Sequence, residues 1–440
     1  MGMNRVVVLS FWCLSIAFAP RAQYASADYV RALKSATDVM LNDVASPVAA
    51  SRYYAYITLA AYETACLYDS SLKSFSGTLK GFPELRIASE GLQNADPDLA
   101  VLLALYKTAQ KMLPSGFMLK RHIDSLSKSM ALNEAQQSRF QLSASIVDQV
   151  VEQVVAYAGG DGFRRLNNLP RYTPRQGKPY WQPTAPAFMA PVEPHWNTLR
   201  TFLLDSAKQY KPVKPALFNL QKGSAFHQMM MEVYEVGKKS NKEQQDIANF
   251  WDCNPFALQQ IGHVEFGLKK ISPGGHWMGI VGIAAVQANF TLKRTALAHA
   301  ILAIALADGF IACWDEKYRS NRVRPETVIQ QELDPSWRPL LQTPPFPEYV
   351  SGHSVASHTA AILLSQIFGE NVGFLDNTEV EFGLPERRFQ SFRQAAAEAA
   401  ISRLYGGIHF RDAITAGEWQ GRQVGQHVAK RLAAHLVLFK

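Results

Sequence analysis

Apolar residues recur at the three- and four-residue spacing of an α-helix along most of the chain, and no segment alternates strongly between apolar and polar positions. Ser46 and Asp96 are each followed by proline, a combination that caps a helix and opens its first turn. Ser240 and Glu243 have the spacing of a capping box. A long periodic segment stops at Gly159, the first of a glycine pair that favours a helix end. The pattern therefore predicts an all-α protein.

Residues 161–222 interrupt this helical pattern. The stretch "LPRYTPRQGKPYWQPTAPAFMAPVEPHW" is crowded with proline and aromatic residues, so it cannot form a regular helix. Segments of this length in compact proteins are usually functional or join two domains. We therefore expect two packed four-helix bundles, residues 28–160 and 223–440, joined by a Pro-rich connecting segment at 161–222.

The N-terminal segment has the pattern of a signal peptide. Arg5 precedes an apolar run that ends at Ala19 and is too short to span a bilayer, and the A-x-A site at residues 25–27 follows. This predicts a signal peptide at residues 1–27 and a periplasmic or secreted protein; a packed N-terminal helix is the alternative. We expect no second run long enough to span a membrane.

Composition excludes some classes of partner and scaffold. The net charge of the 440 residues is +8, and basic residues are interspersed with acidic ones without a long basic block, so nucleic acid is not an expected partner. Removal of residues 1–27 leaves three cysteines, Cys66, Cys253 and Cys313, in apolar or aromatic surroundings and without zinc-site spacing. We expect them to be small buried residues, and the fold not to depend on disulfides.

The stretch "VSGHSVASHTA", residues 350–360, places serine, glycine and histidine where a helix begins. Ser351 is a favoured N-cap residue, and the residues behind it have helical spacing. The N–H groups of Ser351, Gly352 and His353 would then be unpaired at the positive end of the helix dipole. That arrangement is typical of a site for a tetrahedral oxyanion.

Two further segments carry the matching charges. In "WDEKYRSNRVRP", Lys317 and Arg324 are seven residues apart, which predicts one helix face for both cations. In "SRLYGGIHFRD", Arg403 and His409 flank the pair Gly406–Gly407, which would let the backbone approach a ligand closely. Such cations suit a trianionic oxyanion. Clustered carboxylates or thiolates are missing from these segments, so a metal cation is not the expected primary ligand.

The order Lys317-x6-Arg324-Pro325, Ser351-Gly352-His353 and Ser402-Arg403-x5-His409 resembles the shared signature of vanadium-dependent haloperoxidases and type-2 phosphatidic acid phosphatases. The resemblance spans roughly residues 317–412, and the helical pattern is compatible with the family's two-bundle architecture. It implies that the equatorial oxygens of a vanadate cofactor are held by Lys317, Arg324, Arg403, Ser351 and the N–H of Gly352.

The resemblance also implies roles for two histidines and two aromatic residues. His409 would bond the vanadium apically, and His353 would be the acid–base group beside the apical oxygen. Trp314 is similar to the tryptophan that lines the haloperoxidase pocket, and Phe346 occupies the position where haloperoxidases carry Phe or His beside the halide.

The chain departs from the family pattern at two positions. Val350 stands where the pattern has proline, which concerns backbone stiffness more than chemistry. Ala413 stands where an aspartate usually follows the last histidine, and Asp412 lies one position earlier, so the partner that orients His409 is open. Asp252 resembles the acidic residue that pairs with the second arginine.

One such pocket can serve different chemistries. A haloperoxidase would oxidise halide with hydrogen peroxide on vanadate. A secreted acid phosphatase of the same superfamily would form a phosphohistidine at His409, and a periplasmic oxyanion-binding protein would use neither histidine catalytically. Trp314, Phe346 and the lack of several spanning helices favour the haloperoxidase. Phe346 in place of histidine most resembles bacterial iodoperoxidases, so iodide is the expected substrate, with bromide, the organic acceptor and the oligomeric state left open.

Overall fold

A computed structural model describes residues 24–88, 90–129, 133–261, 264–267 and 270–440. Residues 1–23 of the predicted signal peptide therefore lie outside the described residues. Its predicted end, Ala27, falls in the first turn of the first helix. Within the described residues, helices follow one another in this order: α1 (Ser26–Asn42), α2 (Pro47–Leu67), α3 (Pro97–Met112), α4 (Lys120–Ser129), α5 (Glu134–Gly159), α6 (Ala225–Lys239), α7 (Lys242–Phe250), α8 (Pro273–Gln287), α9 (Leu292–Ser320), α10 (Pro325–Glu332), α11 (Gly352–Phe368), α12 (Phe392–Tyr405), α13 (Arg411–Arg431) and α14 (Ala433–Leu436).

Short strands form two antiparallel hairpins: β1 (Leu258–Ile261) with β2 (Val264–Gly267), and β3 (Phe374–Asp376) with β4 (Arg387–Phe389). With three or four residues each, they are too short to show an alternating pattern in the sequence. The predicted all-α class is confirmed.

Local capping sequences set most of the predicted helix ends. The side chains of Ser46 and Asp96 accept the N–H groups that open α2 and α3, and α5 ends at Gly159, as predicted. The capping box predicted at Ser240 is wrong by one residue. Asn241 caps α7 and Gln244 completes the box, because asparagine at the next position offers the same acceptor.

Helix α9 is the centre of the core. It packs against α2, α8, α11 and α13, and α11 in turn packs against α12 and α13. Within the described residues, α9 is the one helix long and apolar enough to cross a membrane, and its apolar window is completely buried in the protein. The sequence analysis expected no run, other than the N-terminal one, long enough to span a membrane. By length and composition α9 is such a run, so this expectation was wrong. The main hydrophobic cluster has members from Tyr29 to Leu436, on both sides of the Pro-rich segment. The domain boundaries at residues 160 and 222 stay a prediction.

The Pro-rich segment, residues 161–222, runs across the helices towards the site. Its Trp181 and Trp196 are buried. The carboxylate of Asp308 on α9 accepts the backbone N–H groups of three consecutive residues of the segment, 202–204, at 2.7, 2.7 and 2.9 Å. A buried carboxylate satisfied by backbone donors holds an irregular segment in one place. These hydrogen bonds hold residues 202–204 of the segment against α9.

Candidate active site

The predicted site segments converge on a cavity beside the N-terminus of α11. Its wall combines α9, α11, the end of α12, the loop after α7 and the segment before α11. Predicted site residues in the lining are Trp314, Phe346, Gly352, His353, Arg403 and His409.

Helix α11 begins as predicted, with Ser351 as its N-cap. The Oγ of Ser351 accepts the N–H of Ser354 at 3.3 Å. One detail was wrong, because the N–H of Ser351 is not free: it donates to the carbonyl of Ala413 at 3.0 Å. The first-turn N–H groups of Gly352, His353 and Ser354 have no carbonyl four residues back in the helix, and only that of Ser354 is accepted by the cap side chain.

A buried ionic network orients His409. Its Nδ1 lies 2.8 Å from Oε1 of Glu348, which also accepts the N–H of Phe410 at 2.9 Å. The guanidinium of Arg322 donates to the other oxygen of Glu348 at 2.6 Å and forms a fork with Asp412 at 2.6 Å for both bonds. The orienting partner of His409 is therefore Glu348. Asp412 contributes to this orientation indirectly, because it binds the guanidinium of Arg322, which in turn binds Glu348.

Glu348 was missed by the sequence reasoning, although a signal exists. It is the only carboxylate between Asp334 and Glu370, and it stands in a Pro- and aromatic-rich stretch five residues before His353. Its side chain is completely buried. An isolated carboxylate in so apolar a stretch needs a polar partner in the fold.

Arg324 presents one guanidinium nitrogen without a partner. Its Nε donates to the carbonyl of Phe346 at 3.0 Å and its Nη1 to that of Ile408 at 2.9 Å, while Nη1 lies 3.2 Å from Nε2 of His409. Nη2 is buried and makes no hydrogen bond to any described residue. Since Nε2 of His409 faces an obligate donor, its proton is on Nδ1 and its lone pair on Nε2.

The helix-face argument for Lys317 and Arg324 was wrong. Helix α9 ends at Ser320, Asn321 adopts a left-handed conformation with φ of 53°, and Arg324 is the N-cap residue of α10. The two cations nevertheless meet. Burial lowers the pKa of Lys317 to about 7, and the guanidinium of Arg324 adds to this decrease.

Lys317 lies behind the cavity wall. Its Nζ donates to the carbonyls of Pro347, Glu348 and Val350 at 3.0, 3.1 and 2.5 Å. All three ammonium protons are thereby used. In this geometry, Lys317 contributes charge to the site, and it clamps the segment that leads into α11. Val350, at the family's proline position, supplies one of these carbonyls.

Arg403 belongs to the opposite wall, at the last turn of α12. Its Nε donates to Ser402 at 2.9 Å and its Nη2 to the carbonyl of Trp251 at 2.7 Å. Burial lowers the pKa of Arg403, and the nearby charge of Asp252 opposes that change. Asp252 makes its own ion pair with Lys270. It therefore acts on the arginine through its charge, without a salt bridge to it.

The sequence analysis expected the pair Gly406–Gly407 to let the backbone approach a ligand closely. The structure corrects this, because both glycines pack against other residues of the protein. A Cβ on Gly406 would lie 2.5 Å from Leu341, and one on Gly407 would lie 3.1 Å from Pro339. Gly407 also has a φ of +75°. The pair is required by a tight turn that packs against the segment 337–341.

His353 has a buried Nε2 that makes no hydrogen bond to any described residue. Burial lowers its pKa well below the ordinary histidine value, and Arg403 and His409 lower it further. Burial likewise lowers the pKa of His409, with added effects of Arg324 and Lys317. Both imidazoles are neutral at neutral pH, and each can use a ring nitrogen as an acceptor.

The aromatic residues form one side of the cavity. The rings of Trp314 and Phe346 are 4.9 Å apart between centroids at 50°. Trp314 is fixed by its Nε1, which donates to the carbonyl of Val192 in the Pro-rich segment at 3.2 Å. The Nζ of Lys317 and the guanidinium carbon of Arg324 lie 5.0 and 5.1 Å from the centroid of the Phe346 ring. This wall is thus both apolar and electropositive.

These residues fit a tetrahedral oxyanion. Nη2 of Arg324 is a buried donor without a described partner, and the first turn of α11 supplies backbone N–H groups. Burial lowers the pKa of Lys317 to about 7 and that of Arg324 to about 10, with added repulsion from Arg324 on Lys317 and from Arg322 on Arg324. An anion would satisfy the donor and relieve the repulsion. The arrangement is that of an α-helical protein able to bind an oxyanion, with two neutral histidines in the lining of the cavity.

The comparisons with known proteins agree with this class. Residues 298–437 match the family model described as "VCPO second helical-bundle domain". The solved structure of the first bacterial vanadium-dependent iodoperoxidase is 41% identical, with a TM-score of 0.87 over 93% of this chain and 97% of that chain. This chain belongs to the vanadium-dependent haloperoxidases, enzymes whose cofactor is vanadate.

More distant structures share the fold. The holo form of a bacterial vanadium-dependent chloroperoxidase is 16% identical, with a TM-score of 0.66 over 94% of each chain. The apo form is also 16% identical with a TM-score of 0.66, over 89% of this chain and 95% of that chain. No curated protein matches this chain.

Proposed function

We propose that this enzyme oxidises iodide with hydrogen peroxide, with vanadate held in the cavity beside α11. The observation that carries the proposal is the geometry of His409. Its Nδ1 is 2.8 Å from Glu348, so its Nε2 lone pair is directed towards the buried fork of Arg324. A neutral, oriented imidazole next to cations is what a metal oxyanion with one histidine ligand requires.

The remaining cofactor contacts are assigned by position. Arg324 and Arg403 would hold vanadate oxygens from two sides, with the hydroxyl of Ser351 and the N–H of Gly352 between them. Lys317 would act through its charge, because its three donors are used on backbone carbonyls. Oxygens bound by forked cations and backbone N–H groups keep the anion in one orientation.

His353 is proposed to move the proton of the reaction. The balanced reaction is H₂O₂ + I⁻ + H⁺ → HOI + H₂O. Bound vanadate supplies a Lewis acid that polarises the peroxide for attack by halide. The neutral Nε2 of His353, without a described partner, can accept a proton from incoming peroxide. The aromatic wall at Trp314 and Phe346 excludes water and would receive the large, weakly hydrated halide.

The preference for iodide is supported by Phe346 at the halide position and by the 41% identity to the iodoperoxidase. The test is peroxide-dependent oxidation of iodide and bromide, with and without added orthovanadate. We expect vanadate-dependent turnover of iodide that exceeds that of bromide. Equal turnover of both halides would contradict the iodide preference. Rapid hydrolysis of p-nitrophenyl phosphate by the vanadate-free protein, without halide oxidation after loading, would favour a phosphatase.

We further propose that the enzyme is exported to the periplasm or secreted. The support is the n-region, apolar run and A-x-A site at residues 1–27. The N-terminal sequence of protein recovered from a native host tests this, with Asp28 as the expected first residue. Retention of Met1 in the cytoplasmic fraction would contradict it.

A further inference from the structure

A second cluster of chemically reactive side chains borders the cavity and has no part in the proposed reaction. The Sγ of Cys253, the Nδ1 of His276 and a carboxylate oxygen of Glu379 lie within 4.8 Å of one another. Sγ to Nδ1 is 3.3 Å, and Nδ1 to Oε1 of Glu379 is 3.2 Å. All three residues are buried. Three different ligand atoms therefore face one point in the interior.

The surroundings hold His276 in one orientation. Its Nε2 lies 2.8 Å from Oδ2 of Asp376, whose other oxygen accepts the N–H and hydroxyl of Thr378 at 3.0 and 2.7 Å. The ring of Trp251 stacks on the imidazole at 4.5 Å and 19°. A carboxylate that binds one imidazole nitrogen fixes the other towards a ligand, as in the carboxylate–histidine pairs behind many metals.

Glu379 supplies an independent indication of a ligand. Its Oε1 is buried and accepts no hydrogen bond from any described residue. The 3.2 Å separation from Nδ1 of His276 thus lacks the alignment of a hydrogen bond. A buried carboxylate oxygen without a donor is costly unless a cation satisfies it.

We propose that Cys253, His276 and Glu379 bind a divalent zinc-like cation, with Asp376 orienting the imidazole. Tetrahedral zinc with bonds of about 2.3 Å to sulfur and about 2.1 Å to nitrogen or oxygen has ligand atoms about 3.4–3.6 Å apart. The observed 3.2 and 3.3 Å separations fit that polyhedron with small adjustments. Thiolate, imidazole and carboxylate together favour zinc over magnesium or calcium.

The position suggests what the cation does. It joins the loop after α7, the first turn of α8 and the segment after β3, which are far apart in sequence. Cys253 also lines the vanadate cavity, on the side of Arg403. The cation would therefore stabilise this wall of the anion site, and its binding would displace the protons of Cys253 and His276. This inference does not depend on the proposed halide chemistry.

Cobalt(II) is the probe, because it replaces zinc and gives a thiolate-to-metal charge-transfer band. The full-length enzyme is dialysed against chelator and titrated with Co²⁺ in the absence of vanadate and peroxide. We expect one tightly bound Co²⁺ per chain with the near-ultraviolet thiolate band and tetrahedral visible bands. No stoichiometric binding would overturn the proposal, and would leave His276 as a protonated partner of Asp376 and Glu379.

Two variants and a matched control locate the site. Cys253→Ser should abolish the thiolate band, whereas Cys66→Ser, at a free cysteine that is not part of the cluster, should retain it. Glu379→Gln keeps the shape of the side chain and should weaken Co²⁺ binding by at least about tenfold, the usual scale for loss of a metal-site group. Circular dichroism verifies the fold of each variant. A thiolate band that persists in folded Cys253→Ser, or unchanged affinity in folded Glu379→Gln, would refute the assignment.

Discussion

Replacement of Arg324 by lysine separates the charge of this residue from its geometry. The guanidinium donates to the carbonyls of Phe346 and Ile408 at 3.0 and 2.9 Å and still keeps Nη2 without a described partner. An ammonium group is a single point and cannot reach two carbonyls and the cavity as a planar fork does. Arg324→Lys should therefore weaken vanadate binding although the formal charge is retained.

The expected loss follows from the hydrogen bond that the fork makes to the anion. A hydrogen bond to a charged group is worth about 1.5–3 kcal/mol, which corresponds to about a 10- to 150-fold change in Kd. We predict a Kd for vanadate raised by about 100-fold.

Equilibrium dialysis with vanadium analysis measures the Kd directly, and recovery of iodide oxidation measures it independently. Arg52→Lys is the matched control, since it also replaces a buried guanidinium, one paired with Asp161 away from the cavity. The control should bind vanadate as the wild type does. A folded Arg324→Lys enzyme with a Kd within twofold of wild type would show that Arg324 does not hold the anion.

Three further predictions concern the other site residues. His409→Ala should lose vanadate on dialysis while it stays folded, because the nitrogen proposed to bond the vanadium is gone; stoichiometric vanadium would contradict the assignment. His353→Ala should retain vanadate but oxidise iodide at least about 100-fold more slowly, the scale of a positioned proton acceptor; near wild-type kcat would exclude that role. Lys317 is protonated below its pKa of about 7 and neutral above it, so its attraction for the anion decreases as pH rises through that value. The affinity advantage of wild type over Lys317→Met should therefore shrink above about pH 7, and a constant ratio from pH 6 to 9 would refute this reasoning.

Much of the fold was accessible from the chain because helix signals are local. Periodicity and caps act over a few residues, so the starts of α2, α3 and α11 were predicted correctly. The same locality explains the error at Ser240, where Asn241 competes as the N-cap residue. The seven-residue spacing of Lys317 and Arg324 misled for a related reason, because Asn321 ends α9 between them.

The sequence also identified the site segments. The order and spacing of Lys317, Arg324, His353, Arg403 and His409 resemble the signature shared by vanadium-dependent haloperoxidases and type-2 phosphatidic acid phosphatases. What each group does in the folded protein depends on neighbours that are distant in sequence. The sequence could not show that Glu348 orients His409, because a contact between residues 61 positions apart leaves no periodic signal.

The same limit applies to groups whose donors or acceptors are used elsewhere. Ser351 loses its N–H to Ala413, and the ammonium of Lys317 is taken up by three backbone carbonyls. The meeting of Cys253, His276 and Glu379 is likewise a product of packing between separate segments. Local sequence thus determined which helices form and which chemical groups the site has. Tertiary packing decided which of those groups remain free to bind, because burial forces each polar group to find a partner and only the assembled fold brings the partners together.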